Sequence, residues 1–236
     1  MILFVFDTET NGLPTSWGTS SRGWHQHWPS PVQISWLIYD TNQNEMISKE
    51  DHIILLDEPL DKDAVKIHGI SEKRMFKEGE SLRVVLRRFR KDIECADIII
   101  AHNINFDYHV ISRSCIQECI PDIMSSSIIK DKQLYCTMKE GTSLCNIMQK
   151  HIYTGEIRVK YPTLQELHLH LFQDELNDAY LHNSLYDILI TLRCVCKMLY
   201  NVDLFVVCDE YIDMMKDIIL PIQPPSPDIL CMEDSV

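Results

Sequence analysis

Five side chains stand out for the chemistry they could do together. Asp7 and Glu9 lie two residues apart at the end of the apolar run ILFVF (2–6), and Asp107 follows a second apolar run, DIIIA (97–101). His182 precedes Asp187 by five residues at the start of a long helical pattern. Period-two alternation turns Asp7 and Glu9 to one face of a strand. Adjacent carboxylates repel unless a proton or cation lies between them, and hard oxygen donors suit Mg²⁺ or Mn²⁺. A histidine that is neutral near pH 7 can take a proton from an attacking water. Each residue alone also has an ordinary reading: a strand end entering a polar turn, a helix-start carboxylate favoured by the macrodipole, a surface histidine. As a set, they are what a pair of metal ions ~3.5–4 Å apart needs for phosphoryl transfer.

The elements that must position them can be read from hydrophobic periodicity. Residues 2–6 form a short, β-rich run that fits a central strand buried on both faces. The stretch 14–31, punctuated by three prolines and two glycines, reads as a long loop. VQISWLIYD (32–40) and ISKEDHIILL (47–56) read as strands joined by a turn. Leu82, Val85, Leu86, Phe89 and Ile93 fall at helical spacing, with Arg83, Arg87, Arg88, Arg90 and Lys91 on the other face as a solvated surface or a phosphate contact. A helix follows from Phe106 to Cys119, then a strand over 133–138. Pro162 and Thr163 occupy start and cap positions for a helix over 163–172. A strong amphipathic helix covers 185–199, and another helix is expected over 203–219. Strands first, then alternating helices and strands, imply an α/β or α+β sheet of mixed direction.

The bulk numbers narrow the class. A chain of 236 residues with 45% hydrophobic and 24% charged content is ordinary for a globular protein. Its net charge of −13 argues against a module that coats nucleic acid with a broad basic surface. It is compatible with an enzyme that meets phosphates through bound cations. Nine scattered cysteines without a C-x-x-C pair read as free thiols of a reducing compartment, cytoplasm or nucleus. The apolar start is too short for a membrane span, which needs ~20 apolar residues, and lacks the basic flank of a signal peptide.

DTETNGL (7–13), AHNINFD (101–107) and HNSLYD (182–187) resemble the three motifs of the DEDDh, or DnaQ-like, 3′→5′ exonuclease superfamily. IHGIS (67–71) and YPTLQELHLHLF (161–172) resemble its intervening segments, so the likeness spans about residues 1–200. Histidine at 182, with Asn183 where the y-type would have tyrosine, matches the h-type. The resemblance implies an RNase H-like α/β fold with a central mixed five-stranded sheet flanked by helices. It implies two Mg²⁺ or Mn²⁺ ions held by Asp7, Glu9, Asp107 and Asp187, with Asp7 bridging, and His182 as general base. It further implies that the Thr8 backbone and the Leu13 side chain hold the 3′ nucleotide, with Asn103, Phe106 and Ile70 supporting that pocket. Leu13, Phe106 and Ile70 each have a core-packing alternative, and Asn103 could equally cap its helix.

The expected organisation is an exonuclease domain over 1–202, an added helix over 203–220 and a flexible Pro-rich acidic tail over 221–236. The expected activity is release of nucleoside 5′-monophosphates from single-stranded or frayed 3′ ends, with DNA ahead of RNA. An exoribonuclease, or a catalytically weak module binding nucleic acid or a polymerase, are the alternatives. Trp17, Trp24 and Trp28, with His25 and His27, make the 14–31 loop a candidate for base stacking, for a local cluster, or for contact with a polymerase or other protein. The tail is a second candidate for such a contact.

Overall fold

Strand β1 (Ile2–Thr10) sets the architecture by its alternation. Phe4 and Phe6 enter one core, while Leu3 and Val5 enter another on the opposite face. All four are fully buried, so β1 is a central strand covered on both sides, as its apolar run requires. The computed structural model describes residues 1–18, 23–152 and 154–220. The expected tail at 221–236 lies outside the described residues.

A 3₁₀ turn (Trp24–His27) leads to β2 (Pro31–Asp40) and β3 (Glu45–Ile53). Helices α1 (Lys62–His68), α2 (Glu72–Glu78) and α3 (Leu82–Ile93) precede β4 (Ile98–Ala101). Next come α4 (Ile104–Gln117), α5 (Ser126–Ile129), β5 (Gln133–Cys136) and α6 (Thr137–Cys145). A two-stranded ribbon, β6 (Met148–Lys150) and β7 (Ile157–Val159), leads to α7 (Leu164–Phe172) and β8 (Glu175–Leu176). After a second 3₁₀ turn (Asp178–Tyr180) come α8 (Ser184–Tyr200), α9 (Leu204–Val207), α10 (Asp209–Met215) and β9 (Ile219–Leu220), which pairs with β8.

The main sheet has the order β3-β2-β1-β4-β5, antiparallel across β3, β2 and β1 and parallel across β1, β4 and β5. This is the mixed five-stranded sheet expected. Helix α3 buries the stripe Leu82, Val85, Leu86, Phe89 and Ile93 on one face. There Phe89 meets Phe4 and Phe6 edge-on, with centroids 5.0 and 5.4 Å apart. Three of the helix's cations are satisfied at the surface, Arg83 by Glu118, Arg88 by Glu80 and Arg90 by Glu94, which fits the solvated reading of that face. Helices α7 and α8 cover the other face; α7 starts in a capping box of Thr163 and Glu166.

Several boundaries differ from expectation. The helix expected over 203–219 is two short helices, because Cys208 adopts an extended conformation with φ −139° between them. The helix expected to run to Cys119 stops at Gln117, and Cys119 turns to φ +51°. The strand expected over 47–56 spans 45–53. No helix among the described residues is long and apolar enough to cross a membrane.

Arg193 fastens α8 to the elements around it. It is 3% exposed and lies between the rings of Phe172 and Phe205, 3.7 and 4.5 Å from their centroids. Its Nε and Nη2 donate to Asp203 at 2.9 Å, and Nη1 donates to Asp174 at 3.0 Å and to His168 Nε2 at 2.9 Å. His168 therefore accepts at Nε2 and stays neutral, its pKa lowered to about 4 by burial. Arg193→Met would leave Asp174 and Asp203 without their cation. We expect it to lower the free energy of unfolding by about 3 kcal/mol, read in urea as a lower midpoint with an unchanged slope.

Candidate active site

The parity that buries Leu3 and Val5 beneath α8 carries Asp7 and Glu9 to that same face as β1 leaves the core. Strand β2 then places Ser35 opposite Asp7 and Gln33 opposite Glu9. These two polar side chains hold the start of α8. Ser35 Oγ lies 2.5 Å from Ser184 Oγ, and Gln33 Nε2 donates to Asn183 Oδ1 at 3.3 Å. The Asn183 side chain in turn caps the helix by accepting from the Leu185 amide at 3.1 Å. Asp187 sits in the first turn, which aims it at β1. Oxygens of Asp7, Glu9 and Asp187 lie within 4.8 Å of one another, all three residues partly buried.

Asp107 stands outside that close trio, yet is joined to it through β1. It lies in the first turn of α4 and is 2% exposed. Thr8 donates to its Oδ1 twice, from the amide at 3.0 Å and from the hydroxyl at 2.7 Å. Thr8 points to the α4 side of the sheet, opposite its neighbours, so one strand end serves both faces. This alters the expectation for Thr8: its amide is engaged by Asp107 rather than open to a nucleotide.

Burial governs the electrostatics. It raises the Asp7 pKa to about 7, and burial followed by repulsion from Asp7 raises Glu9 to about 8. Asp187 is pushed well above the ordinary carboxylate range by burial, then by Asp7, Glu9 and Asp107. Asp107 is raised by burial and by Asp7, against the opposing hydrogen bonds from Thr8. The cluster thus resists holding its full negative charge without a counter-ion. Carboxylate oxygens at this spacing are the donor set that a hard divalent cation takes.

Asp7 and Asp187 of this trio open into a cleft of about 520 Å³ whose lining also includes Asn103, Tyr161, Leu181 and His182. His182 is exposed at its edge in a left-handed conformation, φ +58°. Its ring makes no hydrogen bond to the described residues. Asn103 occupies the N-cap position of α4 at φ +67°, but its side chain makes no capping bond. Gly12 at φ +100° makes the tight turn after β1, and the next residue, Leu13, is 75% exposed. Phe106 is partly buried against Trp28 and Trp17, with centroids 5.7 and 6.2 Å away.

The reading of Ile70 needs correction here, and among the readings open for the tryptophan loop the described residues favour one. Ile70 is fully buried in the core beneath the α1–α2 corner, where its amide donates to His68 Nδ1 at 3.0 Å, so its side chain does not line a pocket. The tryptophan loop is largely a local cluster: Trp28 is 3% exposed, and Trp24 and Trp28 both contact His109 on α4. Trp17 alone of the three presents a mostly exposed ring, at 60%.

His102 was not singled out in the sequence, although it adjoins Asn103 in AHNINFD. Its Nε2 donates to the Pro162 carbonyl at 3.2 Å, so Nδ1 accepts from the Thr137 hydroxyl at 3.0 Å. Burial lowers its pKa to about 4, which keeps this neutral bridge intact. The bridge ties the end of β4 to the cleft wall at Tyr161 and Pro162. A histidine directly after a buried strand was the available signal.

The family model described as RNase_T, Exonuclease, matches residues 4–195. The chain belongs to that exonuclease family. Its fold is similar to that of Escherichia coli exonuclease I solved in complex with a dT13 oligonucleotide, with a TM-score of 0.60 and 17% identity over 83% of this chain and 41% of that one. A moderately thermophilic exonuclease I from Methylocaldum szegediense gives a TM-score of 0.60 and 14% identity over 86% of this chain and 42% of that one. The chain therefore spans about two fifths of the length of these structures. No curated protein matches the sequence.

For this exonuclease domain the raised carboxylate pKa values set a pH dependence. A folded-state pKa above the unfolded value means that the native state binds more protons, so stability falls as pH rises. The loss runs from the ordinary carboxylate range, near 4, up to about 8, where Glu9 ionises. The metal-free protein should lose on the order of 2 kcal/mol across that window. Adding Mg²⁺ or Mn²⁺ at pH 8 should recover it, and Asp7→Asn should shrink both effects. Thermal unfolding at pH 5 and pH 8, with and without chelator, checks this; a midpoint indifferent to pH and metal would contradict it.

Proposed function

We propose that this chain is a metal-dependent 3′→5′ exonuclease that releases nucleoside 5′-monophosphates one at a time from single-stranded or frayed 3′ ends. The observation that carries the reading is the convergence of Asp7, Glu9 and Asp187 within 4.8 Å, with Asp107 tied in behind them and His182 at the lip of the cleft. Asp7, Glu9, Asp187 and Asp107 would hold two Mg²⁺ or Mn²⁺ ions. Such ions supply charge that favours the attacking and leaving oxygens of an in-line displacement.

The chain's own residues do the rest. His182 is solvent-facing, and its ring has no competing partner among the described residues. A free ring nitrogen can accept the proton of the attacking water as its oxygen forms the new bond to phosphorus, while the 3′ oxygen of the preceding nucleotide leaves. Proton transfer by a positioned group is worth ~10²–10⁴ in rate. Thr8 fixes Asp107, and Ser35 and Gln33 fix the helix start that bears Asp187. Phe106 and the exposed ring of Trp17 lie side by side, and they and the exposed Leu13 offer apolar surface on which terminal bases can rest. Asn103, on the cleft wall, can reach the terminal nucleotide.

DNA is the favoured substrate because the similar folds include one solved with a dT13 and one with a dA16 oligonucleotide. An exoribonuclease is the second reading, favoured by the family description itself. Matched DNA and RNA strands labelled at the 5′ end should shorten one nucleotide at a time with Mg²⁺ or Mn²⁺ and not with chelator, DNA the faster. Asp7→Ala should abolish shortening, and His182→Ala should slow it by about 10²–10⁴-fold, both with unchanged circular dichroism. Full activity in both variants would refute the site. Tight binding without any release would instead favour a nucleic-acid-binding module.

A further inference from the structure

The ribbon formed by β6 and β7 leaves the body of the protein with every residue exposed, on both of its faces. A lone two-stranded hairpin is marginal in water, and this one displays Met148 at 61%, Ile157 at 65% and Val159 at 44% exposure. The register sorts these side chains. Met148 faces Val159 and Lys150 faces Ile157, so these four share one side, while Gln149 and Arg158 share the other. The ladder continues below the strands, with the Lys160 amide donating to the Ile147 carbonyl at 2.9 Å. Tyr161, two residues beyond Val159 and 58% exposed, lines the same cleft as His182 and Asp187. A continuous path therefore runs from the carboxylates past Tyr161 onto the ribbon.

The root of the ribbon is fixed at three points. Asn146 closes α6 in a left-handed conformation, φ +47°, just before β6. His102 holds the Pro162 carbonyl, and Lys160 pairs with Glu166 in the capping box of α7 at 2.5 Å. The charge of the ribbon also departs from the chain as a whole. Residues 148–160 contain Lys150, Arg158 and Lys160 against the single acid Glu156, in a protein of net charge −13. Lys150, on the apolar side, has no carboxylate within ion-pair distance among the described residues.

We infer that this ribbon is a landing strip for the strand on the 5′ side of the bond being cut, with bases resting on Tyr161, Val159, Met148 and Ile157 and a phosphate meeting Lys150. From Tyr161 to Ile157 the path is about 13 Å, room for about three or four nucleotides at stacked spacing. Apolar surface interleaved with cations is the chemistry that holds single strands without reading their sequence. A protein partner or a second copy of this chain would use the apolar side without needing Lys150. The proposal rests on the exonuclease reading of the cleft, and its test separates the two.

The full chain is compared with Lys150→Gln and Ile157→Ser, both exposed positions outside the cleft. Binding of fluorescein-labelled dT20 is measured in chelator across a salt series, and hydrolysis of dT20 and of the dinucleotide dT2 is measured with Mg²⁺. Lys150→Gln should reduce the slope of log affinity against log salt by about 0.7, the value for one phosphate contact on a single strand. Ile157→Ser should weaken dT20 binding with the slope unchanged. Both should raise KM for dT20 by about three- to tenfold and leave dT2 hydrolysis as it was. Variants that bind and cleave dT20 like the parent overturn the inference, while parental cleavage of dT2 keeps the site reading intact. A parent that cleaves neither strand overturns the site reading, and the salt slopes then decide the ribbon alone. Sedimentation adds one further outcome: a dimer of the parent lost in Ile157→Ser, with dT20 binding unchanged, would mean that a second copy covers this face and would overturn the proposal.

Discussion

Carboxylates brought within a few ångströms of one another in poorly hydrated protein repel, and the molecule has to spend structure elsewhere to keep them there. Desolvation raises all four, and their mutual repulsion adds to it at Glu9, Asp107 and Asp187. Their convergence is therefore opposed by the folded state itself in the absence of a counter-ion. What sustains it is a backbone whose other commitments leave the side chains nowhere else to go. Asp7 and Glu9 continue a strand that is buried on both faces, and Asp187 is one turn into a helix whose start is bonded to the next strand. The stability lost at the carboxylates is the reservoir from which cation affinity is drawn.

The same constraint explains why the supports lie where they do. Ser35 and Gln33 are polar residues, fully buried on β2, placed by register opposite Asp7 and Glu9. Buried polar groups are costly unless bonded, and theirs are engaged both by Asp51 on β3, to which each donates at 2.7 Å, and at the cap of α8. Far along that helix, Arg193 closes a charged and aromatic clamp with Phe172, Asp174, Phe205 and Asp203. A shift of α8 along the sheet would break both anchors at once, so the position of Asp187 is set from two ends. Asp107 is held differently, by two donors from a single residue, Thr8. That choice couples α4 to β1 across the sheet.

The parts of this arrangement that were legible in the sequence are those set by local period. The alternation of Leu3, Phe4, Val5 and Phe6, the stripe of α3 and the Thr163 cap of α7 each follow from neighbours within a turn or a strand. The carboxylate positions were legible for the same reason, since parity at a strand end and position in a first helical turn are local facts. The rest depends on contacts distant in the chain. MQK and IRV carry no pattern that separates a ribbon from a loop, and the contacts at their root, His102 with Pro162 and Glu166 with Lys160, come from distant parts of the chain. Ile70 looked available because its segment is flanked by polar residues, yet Gly69 and Ser71 end one helix and start another, turning it inward. The break at Cys208 has no proline or glycine to announce it.

Net charge was the one bulk property that sat uneasily with a nucleic-acid enzyme, and the structure resolves the tension by location. A strongly acidic protein repels a polyanion at long range, but screening confines that repulsion to about 8 Å at physiological ionic strength. Inside that distance the local charge decides. At the cleft the acids are a donor set for a divalent cation, and a bound cation would offset much of their charge, so the loaded site would be far less anionic. An acidic exterior then limits adhesion along the length of a strand and leaves engagement to the places where cations are concentrated. Such a chain would be expected to meet nucleic acid near an end, at the cleft and the ribbon beside it, rather than along the strand's whole length. The charge that argued against coating a strand is thus consistent with trimming one.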